Sequence, residues 1–212
     1  MSKWECRENI QKGLLIVISG PSGAGKGTVC KALLKEVPKL KLSISTTTRK
    51  PRPREIDGIN YNFIEKEEFK EMVQRNAFLE YAMVYNNYYG TPKDKVMNEL
   101  QMGKDVILEI DIQGALKVKS EFPEGVFIFV MPPSMEELKN RITKRGTETK
   151  EELTKRFQAS YEEINYVSKY NYIVINDEID DAVEKIKSIL IAEKCRVDRL
   201  KDSIDKIVRR KI

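Results

Sequence analysis

The chain has 212 residues, 41% apolar and 33% charged, with a formal net charge of +5; this is the mixture of a folded domain with one sizeable core, neither disordered nor collagenous. It contains no histidine, which excludes Ser-His-Asp and Cys-His catalytic systems and any histidine metal site. Cys6, Cys30 and Cys195 are odd in number and far apart, so they form neither a disulfide framework nor a CxxC pair, and a reducing, cytoplasmic compartment is expected.

The first dozen residues, MSKWECRENIQK, are charged and lack an apolar signal core, so export is not expected. Leu14–Ser19 is the first strand candidate. It is followed by a glycine-rich loop and a helical pattern over Lys26–Glu36. From Lys50 to Gly90 the rhythm changes: Pro51, Pro53, an Asp57-Gly58 turn signal and a dense run of aromatics from Tyr61 to Tyr89 read as a small mixed β/α insertion. Strand–helix alternation then resumes, with a helix over Lys93–Met102, strands over Val106–Ile110 and Val126–Met131, helices over Ser134–Arg145 and Glu151–Ser168, a strand over Tyr172–Ile175 and a helix from Asp180 onward.

Short, β-branched, continuously apolar strands separated by helices predict an α/β fold with a parallel sheet and right-handed crossovers. The longest apolar runs are too short to span a bilayer, so no membrane partner is expected. Arg141 to Arg156, centred on Arg145-Gly146-Thr147, is charged and poor in apolar residues, as a mobile flap over a site would be.

Charge is concentrated at one end. From Glu193 onward eight basic residues face four acidic ones, so nearly all of the net charge lies in the last twenty positions. No globally basic face remains to imply nucleic acid. Val197, Leu200, Ile204 and Val208 recur at three- and four-residue spacing there, predicting an amphipathic helix that packs on the core or pairs with a second copy of the chain.

The most specific local signal is Gly20-Pro21-Ser22-Gly23-Ala24-Gly25-Lys26-Gly27-Thr28. It lies between a strand and a helix, the context a phosphate-binding loop requires. Glycines let successive backbone N–H groups turn inward, the helix N-terminus adds partial positive charge, and Lys26 reaches the β- and γ-phosphates of a nucleoside triphosphate. Gly27 stands where the usual pattern has Ser or Thr; the GKGT form resembles that of nucleoside-monophosphate kinases and assigns the hydroxyl facing Mg²⁺ to Thr28. Downstream, Val106-Ile107-Leu108-Glu109-Ile110-Asp111 is an apolar strand ending in an acid placed to lie beside metal and nucleotide.

The insertion bears on the phosphate acceptor. Arg49 and Arg52 sit three residues apart in a proline-stiffened turn; two guanidinium forks can hold a phosphomonoester dianion, with Tyr61 and Tyr89 adding hydroxyl donors. Taken in order, GPSGAGKGT, SISTTTRKPRPREIDGINYNF, AFLEYAMVYNNYYGTP, VILEIDIQG and RITKRGTETKEELTKRF resemble the guanylate kinases, the ATP:GMP phosphotransferases.

That resemblance implies a phosphate-loop NTPase core of three α/β/α layers over 12–45, 91–135 and 157–192, a GMP-binding lobe over about 46–90, a helical lid over about 136–156 and a basic C-terminal helix over 193–212, all in one domain. It further implies that Arg49, Arg52, Tyr61 and Tyr89 bind the GMP phosphate. Glu80 reads guanine, Ser45 and Thr91 face O6, and Asp111 lies near base and metal. Arg141, Arg145 and Arg156 close on the ATP phosphates.

The implied chemistry is coherent. Guanine presents N1–H and N2–H₂ donors beside an O6 acceptor, which suits one carboxylate and hydroxyl donors; adenine would leave that carboxylate unpaired. The acceptor phosphate has a second pKa near 6 and is largely a dianion at pH 7, so the absence of histidine leaves nothing undone. Alternatives are a guanylate-kinase-like interaction module, against which the intact Lys26 loop speaks, and a kinase for another monophosphate, against which Glu80 with Ser45 and Thr91 speaks.

Overall fold

Leu15–Ser19 forms β1, and all five residues are buried, as the centre of a sheet covered on both faces demands. The structure is a computed structural model that describes residues 12–84, 86–143 and 150–209. Around β1 lies a five-stranded sheet in the order β2 (Lys41–Leu42), β7 (Val106–Glu109), β1, β8 (Val126–Met131), β9 (Tyr172–Ile175). Every pairing in it is parallel.

Alternation along the strands builds two cores. Leu14, Ile16, Ile18, Ile107, Val126, Ile128 and Val130 turn to one face. There they meet Val29, Cys30 and Leu33 of α1 (Lys26–Glu36) and Val183, Ile186 and Leu190 of α7 (Ile179–Lys194). Leu15, Val17, Val106, Leu108 and Phe127 turn to the other. They meet Val96 and Leu100 of α3 (Lys93–Gln101) and Ala115 and Val118 of α4 (Ile112–Glu121). Each fully buried Val, Leu or Ile contributes about 1.5–3 kcal/mol, so this three-layer α/β/α sandwich rests on its two apolar interfaces.

A second, mixed sheet holds β4 (Asn62–Phe63), β3 (Thr46–Thr47), β6 (Asn87–Pro92) and β5 (Phe78–Val84) in that order. The β3–β4 pair is parallel, whereas β6 runs antiparallel to both β3 and β5. Phe69 of α2 (Lys66–Gln74) is fully buried against it, stacked on Phe78 at 4.5 Å and Tyr88 at 5.2 Å between ring centroids. Lys117 of α4 donates to the Tyr81 carbonyl at 2.5 Å, tying this sheet to the central core.

The helices α5 (Met135–Thr143) and α6 (Lys150–Ile164), with a 3₁₀ turn at Val167–Lys169, complete the order before β9. Strands β8 and β9 and helix α1 begin and end where the apolar runs place them. Others are trimmed. Ser134 caps α5 instead of opening it, its hydroxyl accepting the Glu137 N–H at 3.0 Å. The expected helix to Ser168 ends four residues early, at Ile164. Two elements carry no apolar pattern strong enough to predict: the two-residue edge strand β2 and the glycine-containing α4.

The C-terminal stripe behaves differently from a core-packing helix. Helix α7 stops at Lys194, and a separate helix α8 spans Val197–Arg209. Val197, Ile204 and Val208 are exposed, and α8 is tethered by Arg199 donating to the Glu124 carbonyl at 2.9 Å. No helix among the described residues is long and apolar enough to cross a membrane.

Asp105 joins three parts of the core. Its buried carboxylate accepts the Leu14 N–H at 2.9 Å and pairs with Lys194 at 2.5 Å, linking the start of β1, the approach to β7 and the end of α7. Asp105→Ala should lower unfolding free energy by about 2 kcal/mol, because it leaves a buried donor unsatisfied. Urea denaturation at pH 7 checks this, and a loss below about 0.5 kcal/mol would refute it.

Candidate active site

The loop after β1 turns sharply because the neighbouring strand leaves no room for a side chain. Gly20 has φ of +142°, and a Cβ there would lie 2.1 Å from the Val130 carbonyl oxygen. At the far end Gly25, with φ of +90°, caps α1 in the left-handed region. A Cβ at Gly25 would lie 2.4 Å from Asn176 Nδ2, which donates to the Ala24 carbonyl at 2.8 Å. Pinned between β8 and Asn176, the glycine loop leads directly into the N-terminus of α1, the kind of helix end that favours anions.

Lys26 folds over this loop, Nζ donating to the carbonyls of Gly20 at 2.6 Å and Pro21 at 3.1 Å. Burial pulls its ammonium below the ordinary lysine range, against the attraction of Glu163, Glu109 and Asp111. Helix α6 also engages the loop at Ser22. The Ser22 N–H donates to Glu163 Oε2 at 3.1 Å, Arg156 Nη2 donates to Ser22 Oγ at 2.9 Å, and Ser160 Oγ donates to the Ser22 carbonyl at 3.2 Å. Burial raises the Glu163 carboxyl, opposed by the Ser22 N–H and Lys26. Arg141 on α5 is held by Glu137 at 2.8 Å and by the Asn176 carbonyl at 3.1 Å. Arg145 lies outside the described residues.

The carboxyl end of β7 supplies two acids. Glu109 lies behind the first turn of α1, its Oε1 3.1 Å from where a Cβ on Gly27 would be. Thr28, one position farther round the helix, is exposed. Asp111 is the N-cap of α4 and accepts the Gly114 N–H at 2.7 Å. Among the described residues no cluster of three or more His, Cys, Asp or Glu side chains is placed to hold a metal ion. That donor set fits an ion bound chiefly through phosphates and water, with one or two protein oxygens, as Mg²⁺ with a nucleotide is.

On the insertion, Glu80 of β5 sits opposite Thr91 of β6 across the ladder. It accepts the Thr91 hydroxyl at 2.7 Å while only 8% exposed. Burial raises its carboxyl to about 7; Thr91 opposes the shift, and the charge of Asp111 adds to it. A Cβ on Gly114 would lie 2.8 Å from Glu80 Oε2 and 3.3 Å from Asp111 Oδ1, so both carboxylates converge on the first turn of α4, where only a glycine fits.

Farther along the same sheet, the Arg49 guanidinium packs over the Tyr61 and Phe63 rings at 5.4 and 5.7 Å, and Glu55 first, with Tyr89, raises it above its ordinary value. Arg52 is exposed at the adjoining turn, and Ser45 is half-buried just before β3. Asp111 acts electrostatically on both Lys26 and Glu80, and Glu109 on both Lys26 and Tyr61. The phosphate loop and the insertion's polar cluster therefore adjoin across the end of β7.

The sequence motifs do not single out Glu55, Glu109, Gly114, Ser160, Glu163 or Asn176. Glu109 had a usable signal, standing two residues before Asp111 at the end of an apolar strand. Glu163 and Asn176 had none, since each is brought to the loop only by the packing of α6 and β9.

Comparison with known proteins gives one consistent result. The family model described as guanylate kinase matches residues 12–193. The guanylate kinase of Caldanaerobacter subterraneus subsp. tengcongensis is 68% identical over 197 residues, covering 93% of this chain and 96% of the relative. That of Clostridium tetani is 67% identical over 195 residues, covering 92% and 93%. The crystal structure of guanylate kinase from Anaplasma phagocytophilum superposes with a TM-score of 0.75 at 33% identity, covering 89% of this chain and 90% of that one.

The raised carboxyl of Glu80 makes stability depend on pH. A group whose folded pKa lies above its unfolded value stabilises fully below the unfolded pKa, near 4.5, and that contribution is lost as pH rises through about 7. The loss amounts to about 3 kcal/mol. Glu80→Gln, neutral throughout, should therefore gain about 2–3 kcal/mol on the parent between pH 5 and pH 8 in urea denaturation. A pH-independent difference would show that Glu80 titrates normally.

Proposed function

Since the chain belongs to the guanylate kinase family and transfers the γ-phosphoryl group of ATP to GMP, giving ADP and GDP, we propose a residue-by-residue division of that work. Gly20, Pro21, Ser22, Gly23, Ala24, Gly25, Lys26, Gly27 and Thr28 hold the ATP phosphates. Arg141, Arg145 and Arg156 neutralise charge on the transferring group together with Lys26. Arg49, Arg52, Tyr61 and Tyr89 hold the GMP phosphate. Glu80, Ser45, Thr91 and Asp111 form the guanine site.

The observation that carries the guanine assignment is the buried Glu80–Thr91 pair. An ionised carboxylate only accepts, so the Thr91 proton is committed to Glu80 Oε1. The carboxylate is thereby fixed against rotation and can accept guanine N1–H and N2–H₂; the hydroxyl left to donate to O6 is Ser45. Adenine offers an acceptor at N1 and would leave a buried carboxylate unpaired, at a cost of about 1–3 kcal/mol or more.

Transfer needs no protein base, because the acceptor is already a dianion. The protein's task is to align two anions in line and surround the moving phosphoryl group with positive charge. Arg141 and Arg156 lie on helices that contact the phosphate loop through Asn176 and Ser22. Mg²⁺ bound with ATP would supply Lewis-acid neutralisation; Thr28 and the β7 acids Glu109 and Asp111 are the residues that would hold it, directly or through water. Cytoplasmic residence is the reading that nucleotide substrates support. Neither a nucleic-acid nor a membrane partner is needed for this chemistry.

ADP formation from MgATP tests the reading with GMP, AMP, UMP and dTMP in parallel, beside a control without acceptor. Strong preference for GMP, lost in Glu80→Ala, is the expected result; turnover of another monophosphate would remove Glu80 from its role, and binding without turnover would favour an interaction module. A second expectation comes from the Glu80 carboxyl at about 7. The ionised form binds guanine, so KM for GMP should rise about tenfold from pH 8 to pH 6 while KM for ATP stays level. A flat GMP profile would contradict it.

A further inference from the structure

Glu55 belongs to none of the groups assigned so far, yet it is the acid most tightly bound to a substrate-facing cation. Arg49 Nη1 donates to Glu55 Oε2 and Arg49 Nη2 to Glu55 Oε1, each at 2.9 Å. Arg49 Nη1 also donates to the Lys50 carbonyl at 2.8 Å. The side chains of Arg49 and Glu55 are only 14% and 18% exposed. Glu55 is itself fixed: its Oε2 accepts the Arg52 N–H at 2.6 Å, its own N–H donates to the Arg52 carbonyl at 3.0 Å, and Arg54 before it holds a left-handed φ of 73°. The Arg49 guanidinium holds the Glu55 carboxyl below its ordinary value, and Glu55 raises Arg49 in turn.

Counting donors shows what this leaves. A guanidinium has five N–H groups in fixed directions. Glu55 takes the end fork, Nη1 with Nη2, and the Lys50 carbonyl takes the remaining Nη1 hydrogen. The edge formed by Nε–H and the second Nη2–H makes no hydrogen bond to a carboxylate or carbonyl among the described residues. That edge is a second parallel fork, the geometry that matches two oxygens of a phosphomonoester. Tyr61 and Phe63 wall the plane, and Tyr89 lies near enough to help raise Arg49 above its ordinary value.

We propose that Glu55 is a positioning residue for the acceptor: it locks Arg49 into the one orientation that presents its Nε–Nη2 fork to the phosphate of GMP. This rests on the reading that Arg49 binds that phosphate. A negative acid beside a dianion is otherwise a poor choice by Coulomb's law. Here both Glu55 oxygens are occupied by protein donors, and the rotamer freedom of Arg49 is surrendered before the substrate arrives.

Steady-state kinetics of Glu55→Gln and Glu55→Ala, with GMP and ATP varied separately, test the proposal beside calorimetric binding of GMP and of guanosine. The expected result is a rise of tenfold or more in KM for GMP, with KM for ATP and kcat at saturation within about threefold of the parent and guanosine affinity unchanged. Three results would overturn it. A fall in KM for GMP would mean that Glu55 occupies the phosphate's place and must be expelled. An unchanged KM would make the acid a bystander. An equal loss of guanosine affinity would mean that it supports the lobe in general. Arg49→Ala separates the premise from the proposal, since an unaltered KM for GMP in that variant would remove Arg49 itself from the site.

Discussion

Everything in this active site hangs from a strand that has no solvent-facing side. β1 is buried on both faces and flanked by parallel strands on both edges, so its position is set by two apolar cores at once. Its carboxyl end lies where the chain departs to opposite sides of the sheet, toward β2 on one flank and β8 on the other. Open parallel sheets place ligands in the crevice at such a point. The phosphate loop leaves β1 there, Glu109 and Asp111 leave β7 beside it, and Asn176 follows β9 to brace the loop from the other flank. A rigid, doubly covered strand is what allows a loop of glycines to keep a defined shape.

The charged groups around that loop and on the insertion already have protein partners. Lys26 is held by backbone carbonyls, Ser22 by Glu163 and Arg156, Arg141 by Glu137, and Arg49 by Glu55. Such pairing removes the cost of burying unpartnered charge. At Arg49 the Glu55 pair and the Lys50 carbonyl still leave the Nε–Nη2 edge without a carboxylate or carbonyl partner among the described residues. Glu80 follows a different logic. Its burial and the charge of Asp111 bring the carboxyl to about 7 against the opposing hydrogen bond from Thr91, so its charge changes near neutral pH.

The site also explains where local rules are broken. Helix α4 carries Gly114, a residue unfavourable inside a helix, as its third residue, where an added Cβ would lie 2.8 Å from Glu80 Oε2. That glycine, with Asp111 read as a metal-side acid and not as a helix cap, hides α4 from a reading of periodicity alone. Sequences depart from local consistency where function requires it. The mixed sheet is obscure for another reason: β3 and β4 are two residues each, too short to carry an alternation, and are strands only through the ladder that β6 extends to β3 and β3 to β4.

The sequence by itself determined the parallel core, since the continuous apolar runs of β1, β7 and β8 are buried on both faces, although the run of β9 at the sheet edge leaves Ile173 and Ile175 exposed. It also marked the glycine-rich loop, the arginines and Glu80 as candidates, because those motifs pair residue types at fixed short spacing. Only the tertiary structure decided which acids partner which cations. Glu163 reaches Ser22 across 141 residues of chain and Asn176 reaches Ala24 across 152. No local pattern records such pairs, because they arise from the packing of whole elements and not from the spacing of neighbours. Even Glu55, only six residues from Arg49, becomes visible as its clamp only when the turn closes and three of the five guanidinium donors are seen to be used.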